Sequence, residues 1–221
     1  MTKTHRRRLV TTLFVLLFVL AGYVSQQDMS LFVPAAEPVS QQGKSTKALL
    51  ETLEVKGRAP KTGYERTQFG DGWMRVGNCD MRNIILARDL TSEIVDSNCK
   101  VISGTLNDPY TGKTIQFLRG AETSDDIQID HVVALSNAWQ TGAQQLSNIK
   151  RESLANDPLN LLAVDGLANQ QKSDGDAATW LPANKPFRCQ YVTRHVNVKK
   201  KYPLWVTVAE KQTIERILSS C

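Results

Sequence analysis

Histidine is the scarcest chemical side chain in this 221-residue sequence, with three copies: His5, His131 and His195. His5 sits among the basic residues that open the chain, so a folded domain has only two imidazoles to use. No Cys-x-x-Cys pair is present. With so few histidines, a structural zinc site lacks ligands. No Gly-x-Ser-x-Gly elbow occurs, which removes the hydrolases built on that turn. No internal repeat is visible, and nothing marks a second domain. The one long apolar stretch, Leu9 to Val24, falls short of the roughly 20 residues that a membrane span requires.

Acidic residues are also missing ahead of that stretch, where Lys3, Arg6, Arg7 and Arg8 supply four of the 27 basic residues. Without those four the balance is 23 basic against 22 acidic, a net charge of +1 instead of +5. The basic isoelectric point is therefore mostly a property of the leader and says little about nucleic acid. A basic n-region before an apolar stretch marks residues 1–24 as a signal peptide or a signal anchor. Val19-Leu20-Ala21 is a mediocre cleavage site, so both readings stand. Either way the remainder is exported: secreted, or held on the extracellular face of the membrane. Residues 25–46 contain Gln, Ser and Pro with little periodicity and read as a flexible linker. Residues 47–221 form the domain, and no obligate protein partner is implied.

Four cysteines remain, Cys79, Cys99, Cys189 and Cys221. An even count in an exported chain predicts two disulfides with three possible pairings. Cys79–Cys99 with Cys189–Cys221 is the favoured set, because each bridge ties a local unit.

Ser45 or Thr46 caps a predicted helix through Ala48, Leu49, Leu50 and Leu53. The segment Tyr64-Glu65-Arg66-Thr67-Gln68-Phe69-Gly70-Asp71-Gly72-Trp73 reads as an irregular loop packed on the core. Asp80 caps a helix with Ile84, Ile85, Leu86 and Leu90. Two strands flank Asp108-Pro109-Tyr110-Thr111-Gly112, a turn sequence, and so form a β-hairpin. Helices follow from Ser136, with Trp139 on it, and from Ser147. Leu159 to Val164 is a buried strand, and Asp165 caps a short helix carrying Asn169 and Lys172. Two more helices, Pro186–Lys201 and Thr207–Ser219, are separated at Tyr202-Pro203. From Ala177 to Ala209 six cations, among them Lys185, Arg188, Arg194 and Lys199, meet no acid. Such a stretch either neutralises phosphates or is a solvated helix face.

The central stretch is Ile127-Gln128-Ile129-Asp130-His131-Val132-Val133-Ala134-Leu135. It alternates and then turns apolar, as a buried strand does. A carboxylate beside an imidazole on such a strand needs a reason. Adjacent strand residues face opposite sides, so a twist or bulge is expected if both serve one site.

Taken in order, Ile129-Asp130-His131-Val132-Val133-Ala134-Leu135, Asn156-Asp157-Pro158-Leu159-Asn160-Leu161-Leu162 and Asn169-Gln170-Gln171-Lys172 resemble the HNH branch of the His-Me finger endonucleases. The likeness is to exported proteins of that branch, whose domain is related to the C-terminal part of the GmrSD restriction enzymes. It spans roughly Thr62 to Cys221, including the hairpin turn and Ala177-Ala178-Thr179-Trp180-Leu181-Pro182. It implies an α+β fold: a ββα-metal core with an added β-hairpin and surrounding helices. It implies His131 as the general base and Asp130 and Asn169 as ligands of one divalent metal, Mg²⁺ or Mn²⁺. The family's usual last histidine is asparagine here, which favours an oxygen-loving metal. Asn160 joins the catalytic set by orienting the loop, and through it the His131 ring. Lys172, Arg188, Arg194 and Lys199 are the expected phosphate contacts. His195 reads as structural or as a phosphate neighbour, and Asp174 or Asp176 as a loop acid that reaches the metal at most through water. The implied activity is cleavage of DNA, or of RNA, with low sequence specificity. The alternative is an inactive nucleic-acid-binding or DNA-uptake module on the cell surface.

Overall fold

A helix, α1 (Val39–Glu51), opens the computed structural model, which describes residues 39–221. The leader and most of the linker lie outside the described residues. Leu50 and Leu53 of this first segment are buried against Val192, Val196, Ile214 and Leu218, as their spacing predicts. The helix begins at Val39, however, within the segment expected to be linker. Tertiary contact explains the difference. Thr46 is buried beside Thr193, and a side chain at Gly43 would meet Cys221 at 3.4 Å.

A small hairpin, β1 (Arg75–Val76) and β2 (Cys79–Asp80), leads into α2 (Met81–Asp89). Asp80 caps α2 by accepting from the Asn83 amide at 2.8 Å. Next comes a three-stranded antiparallel sheet of β3 (Thr91–Val95), β4 (Val101–Asn107) and β5 (Thr114–Leu118). The β4–β5 hairpin follows its turn chemistry. Asp108 accepts from the Thr111 amide at 2.7 Å, and Gly112 takes φ +77°. The edge strand β3 has no counterpart in the sequence reading. All five of its residues are exposed, so it has no burial period to betray it.

The element that positions the site is β6 (Ile127–His131), paired antiparallel with β7 (Leu161–Asp165) from Ile127↔Asp165 to His131↔Leu161. Helix α5 (Gly166–Lys172) follows β7 with no loop between them. Asp165 caps it by accepting from the Ala168 amide at 2.8 Å. Gly166 is required at this junction, since a Cβ there would lie 2.1 Å from the Asp125 carbonyl oxygen. Between the two strands run α3 (Leu135–Gln140) and α4 (Asn148–Ala155), the latter capped by Ser147. After α5 come α6 (Arg188–Lys201) and α7 (Val208–Leu218). A capping box of Thr207 and Glu210 starts α7.

The two-stranded ladder is buried on both faces. Ile127, Ile129, Leu161 and Ala163 pack on Ile85, Leu86 and Phe117. Leu162 and Val164 pack on the core of α1, α6 and α7. This alternation puts Gln128 and Asp130 on the α5 side and His131 on the other. The register is continuous, so the bulge expected beside Asp130 and His131 is absent. The fold is α+β, as the sequence implies. Both disulfides take the favoured pairing: Cys79–Cys99 ties β2 to the approach of β4, and Cys189–Cys221 ties α6 to the last residue. All four thiols are thereby used.

Candidate active site

Asp130, His131 and Asn169 line one cavity of about 670 Å³, together with Gln128, Arg66 and Arg82. His131 reaches it without a bulge because it is the last residue of β6. Asp130 and Asn169 come from β6 and α5, which the Asp165 cap and Gly166 hold in close contact.

The His131 ring is oriented from two sides. It lies parallel to Trp73, with ring centroids 5.7 Å apart and planes 6° apart. Its Nε2 is 2.9 Å from the Ala155 carbonyl oxygen. A carbonyl only accepts, so Nε2 carries the proton and Nδ1 keeps its lone pair in the neutral ring. Burial lowers the imidazole from 6.5 to about 3; the Ala155 hydrogen bond raises it a little, while Arg66 and Lys172 lower it further. The ring is therefore neutral at ordinary pH, with the Nδ1 lone pair unprotonated.

Asn160 is fully buried and works on the backbone after His131. Its Oδ1 accepts from the Val133 amide at 2.8 Å, and its Nδ2 donates to the carbonyls of Val133 and Leu154. It shapes the loop and forms no hydrogen bond with the imidazole.

Asp130 is buried and has a partner on each oxygen. The Tyr110 hydroxyl donates to Oδ2, and the Lys172 ammonium donates to Oδ1 at 2.9 Å. Tyr110 comes from the turn of the β4–β5 hairpin. Burial and the Asp130 charge hold its hydroxyl well above the usual phenol range, so it stays a donor. Asn169 donates from Nδ2 to Gln128 Oε1 at 2.9 Å, which leaves its carbonyl oxygen as the free pole of the amide. A carboxylate and an amide oxygen on one cavity are hard donors of the kind Mg²⁺ or Mn²⁺ takes, with water completing the shell. Among the described residues no group of three or more His, Cys, Asp or Glu side chains could hold a metal, so a site here would draw on amide oxygen as well.

The four expected phosphate contacts have other roles. Lys172 does not face solvent; its side chain is buried between Asp130 and the His131 carbonyl oxygen, 2.9 Å from each. Lys199 is buried, 2.7 Å from Glu210. Arg194 donates to the Leu159 carbonyl at 3.1 Å, and Arg188 donates from Nε to that of Pro182 at 2.8 Å. None of the four lines the cavities at His131. The physical reason is shared: an uninterrupted run of cations in sequence still folds against acids and carbonyls from elsewhere. His195 lies fully buried beside Glu210 and does not line this cavity. Asp176 is taken by Arg58 at 2.8 Å, whereas Asp174 lines the cavity and accepts from Ser136 at 2.9 Å.

The cations that do line the cavity come from the front of the domain: Lys61, Arg66 and Arg82. Lys61 pairs with Asp174 and Arg82 with backbone carbonyls, whereas the Arg66 guanidinium has no partner among the described residues. The sequence reading missed Arg66, Trp73 and Tyr110 as site residues. Their only signal was aromatic and glycine richness in segments read as loops.

The model of the GmrSD restriction endonuclease C-terminal domain matches residues 80–217, more than half of the chain, and the chain belongs to that family. An "Uncharacterized secreted protein" of Arthroderma benhamiae is 37% identical over 192 residues, covering 85% of this chain and 91% of that protein. No solved structure matches. Among the described residues no helix is long and apolar enough to cross a membrane.

Proposed function

We propose that this protein is an exported, metal-dependent endonuclease of the HNH, or His-Me finger, type. It hydrolyses phosphodiester bonds of DNA, and possible RNA cleavage is decided by the same assay. The observation that carries the reading is the orientation of His131. Its Nε2–H is spent on the Ala155 carbonyl, which leaves Nδ1 unprotonated, and the residue lines the cavity that also holds Asp130 and Asn169. Nδ1 takes a proton from the attacking water. Asp130 and the Asn169 carbonyl would hold Mg²⁺ or Mn²⁺, which when bound supplies Lewis-acid neutralisation of the phosphate and the departing oxygen. Tyr110 and Lys172 fix the carboxylate, and Asn160 fixes the loop beyond the base. Arg66, which has no hydrogen-bond or ion-pair partner among the described residues, contacts a phosphate oxygen. Such contacts read backbone rather than bases, so low sequence specificity follows. Family membership, the secreted relative and the two disulfides support export and a nuclease-related role.

One observation favours the second reading, an inactive nucleic-acid-binding module: Lys172 already neutralises Asp130. Incubating the disulfide-bonded domain with supercoiled plasmid and with RNA, in Mg²⁺, Mn²⁺ or chelator, separates the two. Metal-dependent nicking supports the enzyme. Binding that leaves the plasmid supercoiled in both metals supports the inactive module.

A further inference from the structure

A second cavity of about 370 Å³ meets the first at Arg66, Trp73, His131 and Leu135. Its chemistry differs. The walls are Trp73, Phe69, Leu135 and the backbone of Gly70 and Gly72, and its charged residues are Arg66 and Asp71. Both glycines hold positive φ, +99° and +132°, conformations that favour glycine. Trp73 is half-buried: it stacks on the His131 ring and lines the cavity as well.

An apolar, glycine-walled recess with an acid at its rim is a poor second phosphate site. It suits a flat aromatic group, with the attached phosphate on the Arg66 side and away from Asp71. We propose that this recess is a nucleobase subsite beside the scissile phosphate, and that the preferred substrate is single-stranded or locally unpaired nucleic acid. A base stacked and paired in a duplex cannot enter a recess, whereas a base in a single strand enters without unpairing. Stacking on an aromatic wall is tolerant of base identity, in keeping with low sequence specificity. This rests on the nuclease reading above and adds to it a strand preference.

The test uses the whole disulfide-bonded domain. Cleavage of a single-stranded oligothymidylate, the same strand paired in a duplex, and an abasic strand of equal length is compared in Mg²⁺ or Mn²⁺. The expected result is kcat/KM at least about tenfold higher for the single strand than for the duplex or the abasic strand. Trp73→Ala and Thr67→Phe, which remove a wall and fill the recess respectively, are expected to shrink the ratio of base-bearing to abasic cleavage. Trp73→Phe is expected to keep most of it. Because Trp73 also orients His131, a loss of rate alone is no support; the ratio is the readout. A duplex cut as well as the single strand, or a ratio unchanged in both variants, overturns the subsite and leaves the nuclease standing. No cleavage of any strand in either metal overturns both.

Discussion

The ammonium of Lys172 lies 2.9 Å from Oδ1 of Asp130, in a setting where neither side chain is exposed beyond 5%. Removing one partner of such a pair strands the other charge. Lys172→Met is therefore expected to cost about 3–5 kcal/mol of stability when no divalent ion is present. Mg²⁺ or Mn²⁺ is expected to return part of that loss by neutralising the same carboxylate. Denaturant midpoints of wild type and variant, with metal and with chelator, check this. Equal metal responses in the two proteins would count against Asp130 as a ligand.

His131→Ala is expected to lower kcat by about 10²–10⁴, the range for a general base. The change also removes the Trp73 stack and the Ala155 hydrogen bond, so a modest loss of melting temperature accompanies it. Plasmid nicking measured beside circular dichroism separates the two effects. A folded variant that nicks at the wild-type rate removes His131 from the mechanism.

Acid should unfold the protein through a buried cluster that does not line the cavity. Glu210 is buried against Lys199, 2.7 Å away, and His195. Although burial opposes its charge, these two partners together hold its carboxyl down to about 2 from an ordinary 4.5. The unfolded chain therefore binds the extra proton first. This contribution is complete above about pH 4.5 and drains away as pH falls toward 2. His195, which burial keeps below its ordinary 6.5, drains stability in the same direction starting below that pH. Glu210→Gln should flatten the acid limb of a stability–pH curve while lowering its plateau by about 3–5 kcal/mol, because Lys199 stays buried. An acid limb of unchanged steepness in the variant would remove Glu210 as its source.

Reduction should also destabilise the domain. The bridges span 20 and 32 residues, and closing loops of this size is worth roughly 3 kcal/mol each in the chain-entropy description. Cys189–Cys221 pins the chain end against α6 near α1, so its loss should loosen α1 first. Hydrogen exchange of the amides in Val39–Glu51, with and without reductant, reads this directly. A melting temperature that does not move on reduction would show that neither bridge contributes.

Much of this architecture was legible because it is local. Asp80, Ser147, Asp165 and Thr207 announce helix starts through side chains that accept from amides three residues on. The Asp108 turn and the alternation around Ile127 and Ile129 announce strands in the same way. What hid was either featureless or non-local. β3 is exposed throughout, and α1 owes its early start to Thr193 and Cys221.

The same division runs through the site. The resemblance to the HNH endonucleases, carried by the order of the motifs, singled out Asp130, His131, Asn160 and Asn169; residue types by themselves showed only a carboxylate beside one of few histidines on a strand. Only folding decided what those residues touch. Lys172, which read as a surface cation, turned inward because Asp130 on the facing strand offered it a charge at hydrogen-bonding distance. Tyr110 reached Asp130 through a hairpin turn 20 residues away. Arg66 and Trp73 came to His131 from a loop with no periodicity. A sequence carries its backbone preferences within a few residues, but the pairing of buried charges is settled by which surfaces meet, and no spacing rule records that.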